Sequence, residues 1–184
     1  MDFPHTLKNR QCTLRGERVD LRILLPEDVT EAYSLWLSNP LVHKYLHSRA
    51  TSVPELKKYV QERFESETAL FFGIFGRSAQ KHIGNIKLEP IDFDCRVATM
   101  GLLIGDSEYW GKGFGTESLK LVTDFAFKDL GMKAVELGVS KENTAAVRVY
   151  EKCGYEVYET AKDRVDPDGL LYDELHMRKL SPSP

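Results

Sequence analysis

The sequence has few cysteines and no surplus of basic residues, and each shortage excludes a class of protein. Its three cysteines, Cys12, Cys95 and Cys153, are widely spaced and form no CxxC pair, which argues against a disulfide framework and a zinc ribbon. Lysine and arginine number 25 against 28 for aspartate and glutamate, giving a net charge of -3. This charge gives no reason to expect nucleic acid or an anionic membrane as a partner.

Long apolar runs are also missing. The most apolar run, residues 69–75, is too short to span a bilayer, and residues 1–10 lack the apolar core of a signal peptide. Together with the unpaired cysteines, this favours a reducing compartment, and we expect a cytoplasmic protein.

The residues that are present suffice for one core, since 42% of the 184 residues are apolar and 29% are charged. No repeat or low-complexity tract divides the chain. We therefore predict a single domain over residues 1–184, with a short disordered tail at residues 181–184.

Apolar periodicity predicts a mixture of strands and helices. Short apolar or alternating segments predict strands at residues 19–24, 70–75, 82–88, 97–104 and 134–139, and a turn at residues 166–169 separates two final strands. Helical spacing follows residues 26, 52, 113 and 143, and Gly131 stands where a C-terminal glycine cap belongs. The predicted class is α/β (α+β), with a mixed, mostly antiparallel sheet of about six to seven strands flanked by about four helices.

The most informative stretch joins a strand to a long helix and reads LIGDSEYWGKGFGTE over residues 103–117. Glycines at positions 111, 113 and 115 let the backbone approach a ligand and leave amide N–H groups unpaired at a helix start, where an anion such as a pyrophosphate is favoured. A P-loop is excluded because Thr116 rather than lysine follows Gly115, and the alternating glycines do not fit GxGxxG. For the glycines alone, turn geometry without a ligand is the alternative.

A second segment, NTAAVRVYEKCGY at residues 143–155, follows this turn at a characteristic separation. Together they resemble the GNAT superfamily of acyl-CoA-dependent N-acyltransferases, and LWLSNP at residues 35–40 with WGKG at residues 110–113 resembles its RimJ/RimL-like branch. The resemblance implies that Leu103 and Ile104 hydrogen-bond the pantetheine arm of acetyl-CoA. It implies a diphosphate site at Trp110, Gly111, Lys112, Gly113, Phe114, Gly115 and Thr116.

Two side chains near the last predicted helix have both an ordinary and a functional interpretation. Asn143 is well placed as an N-cap, and the resemblance adds a contact from Asn143 and Ala146 to pantetheine. Tyr150 lies on the apolar face, where a core tyrosine is the ordinary interpretation. By resemblance, its hydroxyl is the general acid that protonates the departing thiolate.

The general base is harder to assign. Many relatives carry a glutamate on the strand before the glycine turn, but the position that matches here is Thr99, which cannot act as a base. Glu89, Asp92 and Asp94 are substitutes on the preceding strand and its connection, and each is also explained as a solvated charge. We predict Glu89.

The resemblance implies an N-acetyltransferase that passes the acetyl group of acetyl-CoA to a primary amine by direct attack in a ternary complex, as a monomer or homodimer. A protein N-terminus, a polyamine and an amino sugar are all open as acceptors. Because Thr99 replaces the expected glutamate, a non-catalytic acyl-CoA-binding sensor is the alternative. We predict no metal site, since no carboxylate or cysteine close in sequence joins His43 and His47.

Overall fold

The computed structural model describes residues 12–46 and 52–182. These residues form eight strands and five helices. The strands are β1 (Thr13–Arg15), β2 (Val19–Ile23), β3 (Leu70–Gly76), β4 (Lys81–Asp92), β5 (Val97–Ile104), β6 (Ala134–Ser140), β7 (Glu156–Val165) and β8 (Leu171–Leu180). The helices are α1 (Glu31–Ser38), α2 (Pro40–His43), α3 (Val53–Glu65), α4 (Phe114–Lys128) and α5 (Thr144–Lys152).

The predicted fold class is confirmed, with one strand and one helix more than expected in the described residues. The extra strand, β1, has three residues, too few to show an alternating pattern. The extra helix, α2, begins where Asn39-Pro40 ends α1, because the Asn39 side chain caps a new turn by accepting a hydrogen bond from Leu41 N at 3.0 Å. The helix predicted from Pro26 is a 3₁₀ turn that breaks at Val29, and α1 starts at Glu31.

Strand order in the sheet is β1-β2-β3-β4-β5-β6-β8-β7. The predicted mostly antiparallel character of the sheet is confirmed, since β2 to β5 pair antiparallel in succession. Only β5 and β6 pair in parallel among the described strands, and their register covers Val97 with Ala134, Ala98 with Val135 and Thr99 with Glu136. Beyond Thr99 and Glu136 the two strands part, so one edge of each becomes available to another partner.

Helices cover the two faces of the sheet unequally. On one face α4 buries Leu119, Val122 and Ala126 in a core shared with β2 to β6. On the other face α1 and α3 bury Trp36 and Leu56 over the first strands. These two helices do not cover β6 and β8 on this second face. Residues of β6 and β8 there are partly or fully exposed, namely Glu136, Gly138, Glu174, His176 and Arg178.

Local signals at helix ends are borne out in two places. Ser52 and Glu55 form a capping box at the start of α3, and Gly131 adopts a left-handed φ of 66° after α4. At the end of β8, the Ser181 amide donates to the Lys133 carbonyl at 2.8 Å, and residues 183–184 of the predicted tail lie outside the described residues. None of the helices described has the length and apolar character needed to span a bilayer.

Candidate functional site

The parting of β5 and β6 opens a cleft in the middle of the sheet. Residues 100–104 of β5 pair with β4 on one edge and have no partner in β6 on the other. A backbone edge of this kind can pair with an extended ligand as if the ligand were an added strand. Leu103 and Ile104, predicted from the resemblance to hold pantetheine, both lie on this edge.

The glycine turn is anchored to the end of β5. The Trp110 indole N–H donates to the Ile104 carbonyl at 2.7 Å, so this side chain fixes the turn against the strand. At the start of the turn, Asp106 is largely buried, pairs with Lys81 at 2.8 Å and accepts a hydrogen bond from Glu108 N at 3.1 Å. These contacts set the direction in which the chain enters α4.

The N-terminus of α4 lacks a side-chain cap. Its N-cap, Gly113, has a left-handed φ of 87°, a conformation that favours glycine, and supplies no side-chain acceptor. The N–H groups of Phe114, Gly115 and Thr116 belong to the first turn, where no intrahelical acceptor is available. The helix macrodipole adds partial positive charge there. A diphosphate is therefore a suitable occupant of this turn.

Arg18, in the turn between β1 and β2, completes this end of the site. Its guanidinium donates to the Lys112 carbonyl at 2.7 Å, and its backbone N–H donates to Glu117 Oε1 at 3.0 Å. Arg18 could not be predicted from the sequence, because 94 residues separate it from Lys112 and no local pattern links the two. The positive charge of the Arg18 guanidinium, held beside the glycine turn, adds to the attraction of this turn for an anion.

Asn143 acts as the N-cap of α5, as predicted. Its Oδ1 accepts a hydrogen bond from Ala146 N at 3.3 Å, which leaves the amide nitrogen as a donor. In the preceding turn, the Glu142 carbonyl accepts a hydrogen bond from the Tyr45 hydroxyl at 3.4 Å. The segment after α2 thus reaches the turn that leads into α5. His47 in that segment lies outside the described residues.

Tyr150 lies in the core between α5 and α4 and is 7% exposed. Burial raises the pKa of its phenol to about 12, so the hydroxyl keeps its proton throughout the neutral range. Its neighbour Tyr155, with ring centroids 6.1 Å apart, instead has its hydroxyl in a hydrogen bond with Thr123 at 2.7 Å. Within the described residues the Tyr150 hydroxyl has no such partner, which leaves its proton available to a ligand.

Glu89, the predicted base, lies in an ion-paired cluster beside α3. Its Oε2 is 2.7 Å from Lys87 Nζ and 3.4 Å from Arg63 Nε. Partial burial acts to raise the pKa of Glu89, but hydrogen bonding and charge from Lys87, with Arg63, outweigh it and hold the pKa below its usual range. A carboxylate stabilised in its charged form by two cations is a weak proton acceptor.

The two alternative carboxylates have different surroundings. Asp92 accepts a hydrogen bond from Cys95 N at 2.7 Å, and this bond lowers the pKa of its carboxyl. Asp94 is exposed in the same connection between β4 and β5. Asp92 therefore shapes this turn, at the opposite end of β5 from the glycine turn.

Comparison with known protein families bears on this arrangement. Residues 18–156 match the acetyltransferase (GNAT) domain, which is more than half of the chain. The chain belongs to the GNAT acetyltransferases. The match spans the glycine turn, the cleft and α5, so it includes every residue that the resemblance places at the site.

Individual relatives agree with this assignment. A probable N-acetyltransferase, YjcK, of Bacillus subtilis is 35% identical over 125 residues, which cover 66% of this chain and 67% of the relative. Among solved structures, the ribosomal-protein-S5-alanine acetyltransferase of Vibrio fischeri superposes with a TM-score of 0.81 at 20% identity, covering 92% of this chain and 97% of that one. At this identity the similarity establishes a shared fold.

A third similar protein has a structure with ligands. Spermidine N-acetyltransferase of Vibrio cholerae, solved with CoA and spermine, has a TM-score of 0.80 at 23% identity, covering 90% of this chain and 96% of that one. At this level of identity the comparison establishes a shared fold. The domain match and the similarity to YjcK make this protein an N-acetyltransferase by family.

Proposed function

We propose that this acetyltransferase transfers the acetyl group of acetyl-CoA to a primary amine by direct attack within a ternary complex. The observation that carries the proposal is the cleft where β5 and β6 part, which opens beside the uncapped N-terminus of α4. The free edge of β5 can pair with an extended ligand, and it leads to the free N–H groups of the first turn of α4, which can bind a diphosphate. An extended arm that ends in a diphosphate therefore fits this cleft. The family match supports acetyl-CoA as this ligand.

The binding residues have separate tasks in this proposal. The backbone of Leu103 and Ile104 pairs with the pantetheine arm, and the Asn143 amide with Ala146 contacts the arm from α5. The diphosphate is held by Gly111, Lys112, Gly113, Phe114, Gly115 and Thr116, on a turn that Trp110 fixes to β5. Bound acetyl-CoA supplies a thioester, whose carbonyl carbon is open to attack by an amine.

Tyr150 is proposed as the general acid. The carbon–sulfur bond leaves its electron pair on sulfur, and the thiolate needs a proton. With its pKa raised to about 12 by burial, the phenol is fully protonated at neutral pH. Its free hydroxyl supports this role over that of a core tyrosine.

Direct transfer is supported by the raised pKa values of all three cysteine thiols. Burial raises the pKa of Cys12 and of Cys153. In exposed Cys95 the hydrogen bond to Asp92 raises the pKa of the thiol. Because the thiolate is the nucleophile, none of the three is activated for a covalent acetyl-enzyme step. Three free thiols also fit the cytoplasm as the proposed compartment.

The intact mass of the protein should therefore stay unchanged after incubation with acetyl-CoA in the absence of an amine. Mass spectrometry checks this, and Cys95→Ala tests the most accessible thiol, since it should keep wild-type turnover. One acetyl group per chain on a cysteine, formed and consumed at the rate of turnover, would show that transfer is not direct.

For the acceptor, a polyamine, a protein N-terminus and an amino sugar are proposed classes. The similar structures named for spermidine and for a ribosomal protein alanine favour the first two. The molecule acts as a monomer or homodimer in this proposal. A non-catalytic acyl-CoA sensor is the second candidate, because Thr99 stands where a catalytic glutamate is expected.

A thiol-release assay separates the enzyme from the sensor. The panel consists of polyamines, peptides with free N-termini and amino-sugar nucleotides, each with acetyl-CoA. We expect saturable release of CoA thiol with at least one class. Micromolar CoA affinity without turnover on any member would favour the sensor.

A further inference from the structure

Glu136 is the carboxylate nearest in register to the position that lacks the expected base. The parallel pairing of β5 and β6 places Glu136 directly beside Thr99. This pair is also the last before the strands part, so Glu136 stands at the apex of the cleft. The sequence hides this relation, because the two residues lie on different strands separated by α4.

Glu136 and Tyr150 lie on opposite faces of the sheet. Val135, Leu137 and Val139 of β6 point into the core that contains α4 and Tyr150. Because side chains alternate along a strand, Glu136 and Gly138 point to the other face. On that face Thr99 and Gly101 of β5 and Gly138 of β6 are small, and the side chains of Lys87 and Glu174 lie against the two glycines.

The surroundings of Glu136 distinguish it from the other carboxylates of this face. Its Oε2 accepts a hydrogen bond from the Tyr158 hydroxyl at 3.2 Å. Arg178 is its register neighbour on β8 and lies over the Tyr158 ring, 4.9 Å from the centroid. Within residues 12–46 and 52–182, Glu136 forms no ion pair. Glu136 is partly buried, and its Oε1 is available to accept a hydrogen bond or a proton from a ligand.

Neighbouring carboxylates are already paired. Glu174 lies 3.1 Å from His176 Nε2 and 3.7 Å from Arg164 Nε. Glu159 on β7 lies 3.6 Å from His176 Nδ1 and has a side chain that is 60% exposed. Glu89 is paired with Lys87 and Arg63. Among these groups, Glu136 combines proximity to the cleft with the absence of an ion pair within the described residues, although Arg178 is its neighbour in register.

We propose that Glu136 is the general base, which accepts a proton from the acceptor amine on the face of the sheet opposite α4. This assignment rests on the proposed transfer reaction and replaces Glu89 in that role. Glu136 Oε takes a proton from the ammonium, and the neutral nitrogen bonds to the acetyl carbonyl carbon. The carbon–sulfur bond breaks, and sulfur takes a proton from Tyr150 on the other face. The nitrogen, which is cationic after the attack, gives its second proton to solvent, and Tyr150 takes a proton from solvent. Glu136 also releases its proton to solvent, so the products are an amide, CoA thiol and one proton.

The test is Glu136→Gln, which keeps the size of the side chain and its ability to accept from Tyr158. With an amine from the panel, kcat at neutral pH should fall about 10²- to 10⁴-fold with unchanged acetyl-CoA affinity. An alkyl ammonium has a pKa near 10, so it loses its own proton as the pH rises. The ratio of wild-type to variant rate should therefore shrink between pH 7 and 10, a change that a purely structural role does not produce.

Glu159→Gln is the matched control. It makes the same substitution at an exposed carboxylate of β7 that faces His176, so kcat should stay within about threefold of wild type. Equal losses in the two variants, or a wild-type rate for folded Glu136→Gln, would overturn the assignment while the proposed function stands. If the wild-type protein transfers acetyl to no amine, the proposed function fails and Glu136 fails with it.

Discussion

Replacing Tyr150 by phenylalanine should lower kcat about 10²- to 10⁴-fold at neutral pH, with little change in acetyl-CoA affinity. The change removes one oxygen and keeps the ring that packs against α4. Because no other described residue takes the hydroxyl in a hydrogen bond, the loss should appear in chemistry rather than in folding. Steady-state kinetics and a direct binding titration measure the two quantities separately.

The dependence of kcat on pH provides a second test of the role of Tyr150. Wild-type Tyr150, with a pKa raised to about 12, keeps its proton well above neutral pH. The thiol of CoA has a pKa near 8.5, so above that pH the departing thiolate no longer needs a proton. Part of the lost rate should therefore return at high pH. Full activity of the variant at pH 7 would assign Tyr150 to the core alone.

Tyr155→Phe is the control for Tyr150→Phe. Its ring lies in the same core, but its hydroxyl is bonded to Thr123. Removing that oxygen leaves the Thr123 hydroxyl buried without its partner, which costs about 1 to 3 kcal/mol of unfolding free energy. A thermal melt should therefore shift while kcat is nearly unchanged, the reverse of the result for Tyr150.

Replacing Gly115 by leucine should weaken acetyl-CoA binding about 10²-fold or more. An added Cβ at Gly115 would lie 3.4 Å from Ile104 Cγ1 and 3.7 Å from Leu102 Cδ2, an ordinary contact, so the helix start should survive. A longer side chain would occupy the space between the helix start and the end of β5. Loss of two charge-assisted hydrogen bonds to phosphate, at about 1.5 kcal/mol each, corresponds to this change in affinity.

Gly169→Leu controls for the added leucine. This glycine lies in the turn between β7 and β8, and no atom lies within 4 Å of an added Cβ. The variant should bind acetyl-CoA like the wild type, although its φ of 84° strains any residue with a Cβ. Calorimetric titration of both variants, each shown to be folded, provides the comparison. Wild-type affinity in folded Gly115→Leu would remove the diphosphate site from this turn.

Features that depend on neighbouring residues were predictable from the sequence. Ser52 and Asn143 cap their helices as predicted, and Gly131 has the left-handed φ expected after α4. Each of these depends on a few consecutive residues, whose preferences for caps and turns are strong. The alternating and helical periods likewise predicted the order of the main elements.

Features that depend on strand register were beyond the sequence. Thr99 pairs with Glu136 because β5 and β6, which α4 separates in the sequence, lie parallel in the sheet. The contact of Arg18 with Lys112 joins two turns that are far apart in the chain. Glu89 shows the same limit, since spacing placed it near the site but could not reveal its pairing with Arg63 of α3. Local spacing therefore predicts Glu89 as the base, whereas the register of the sheet supports the proposal of Glu136.

In the proposed reaction, this protein moves an acetyl group from acetyl-CoA to an amine. Acetyl-CoA with a deuterated acetyl group, supplied with an amine from the panel, tests it in one experiment. Mass spectrometry should find the label in an amide of that amine, with one labelled product for each CoA thiol released. Release of thiol with the label in free acetate, or label retained on the protein, would contradict it.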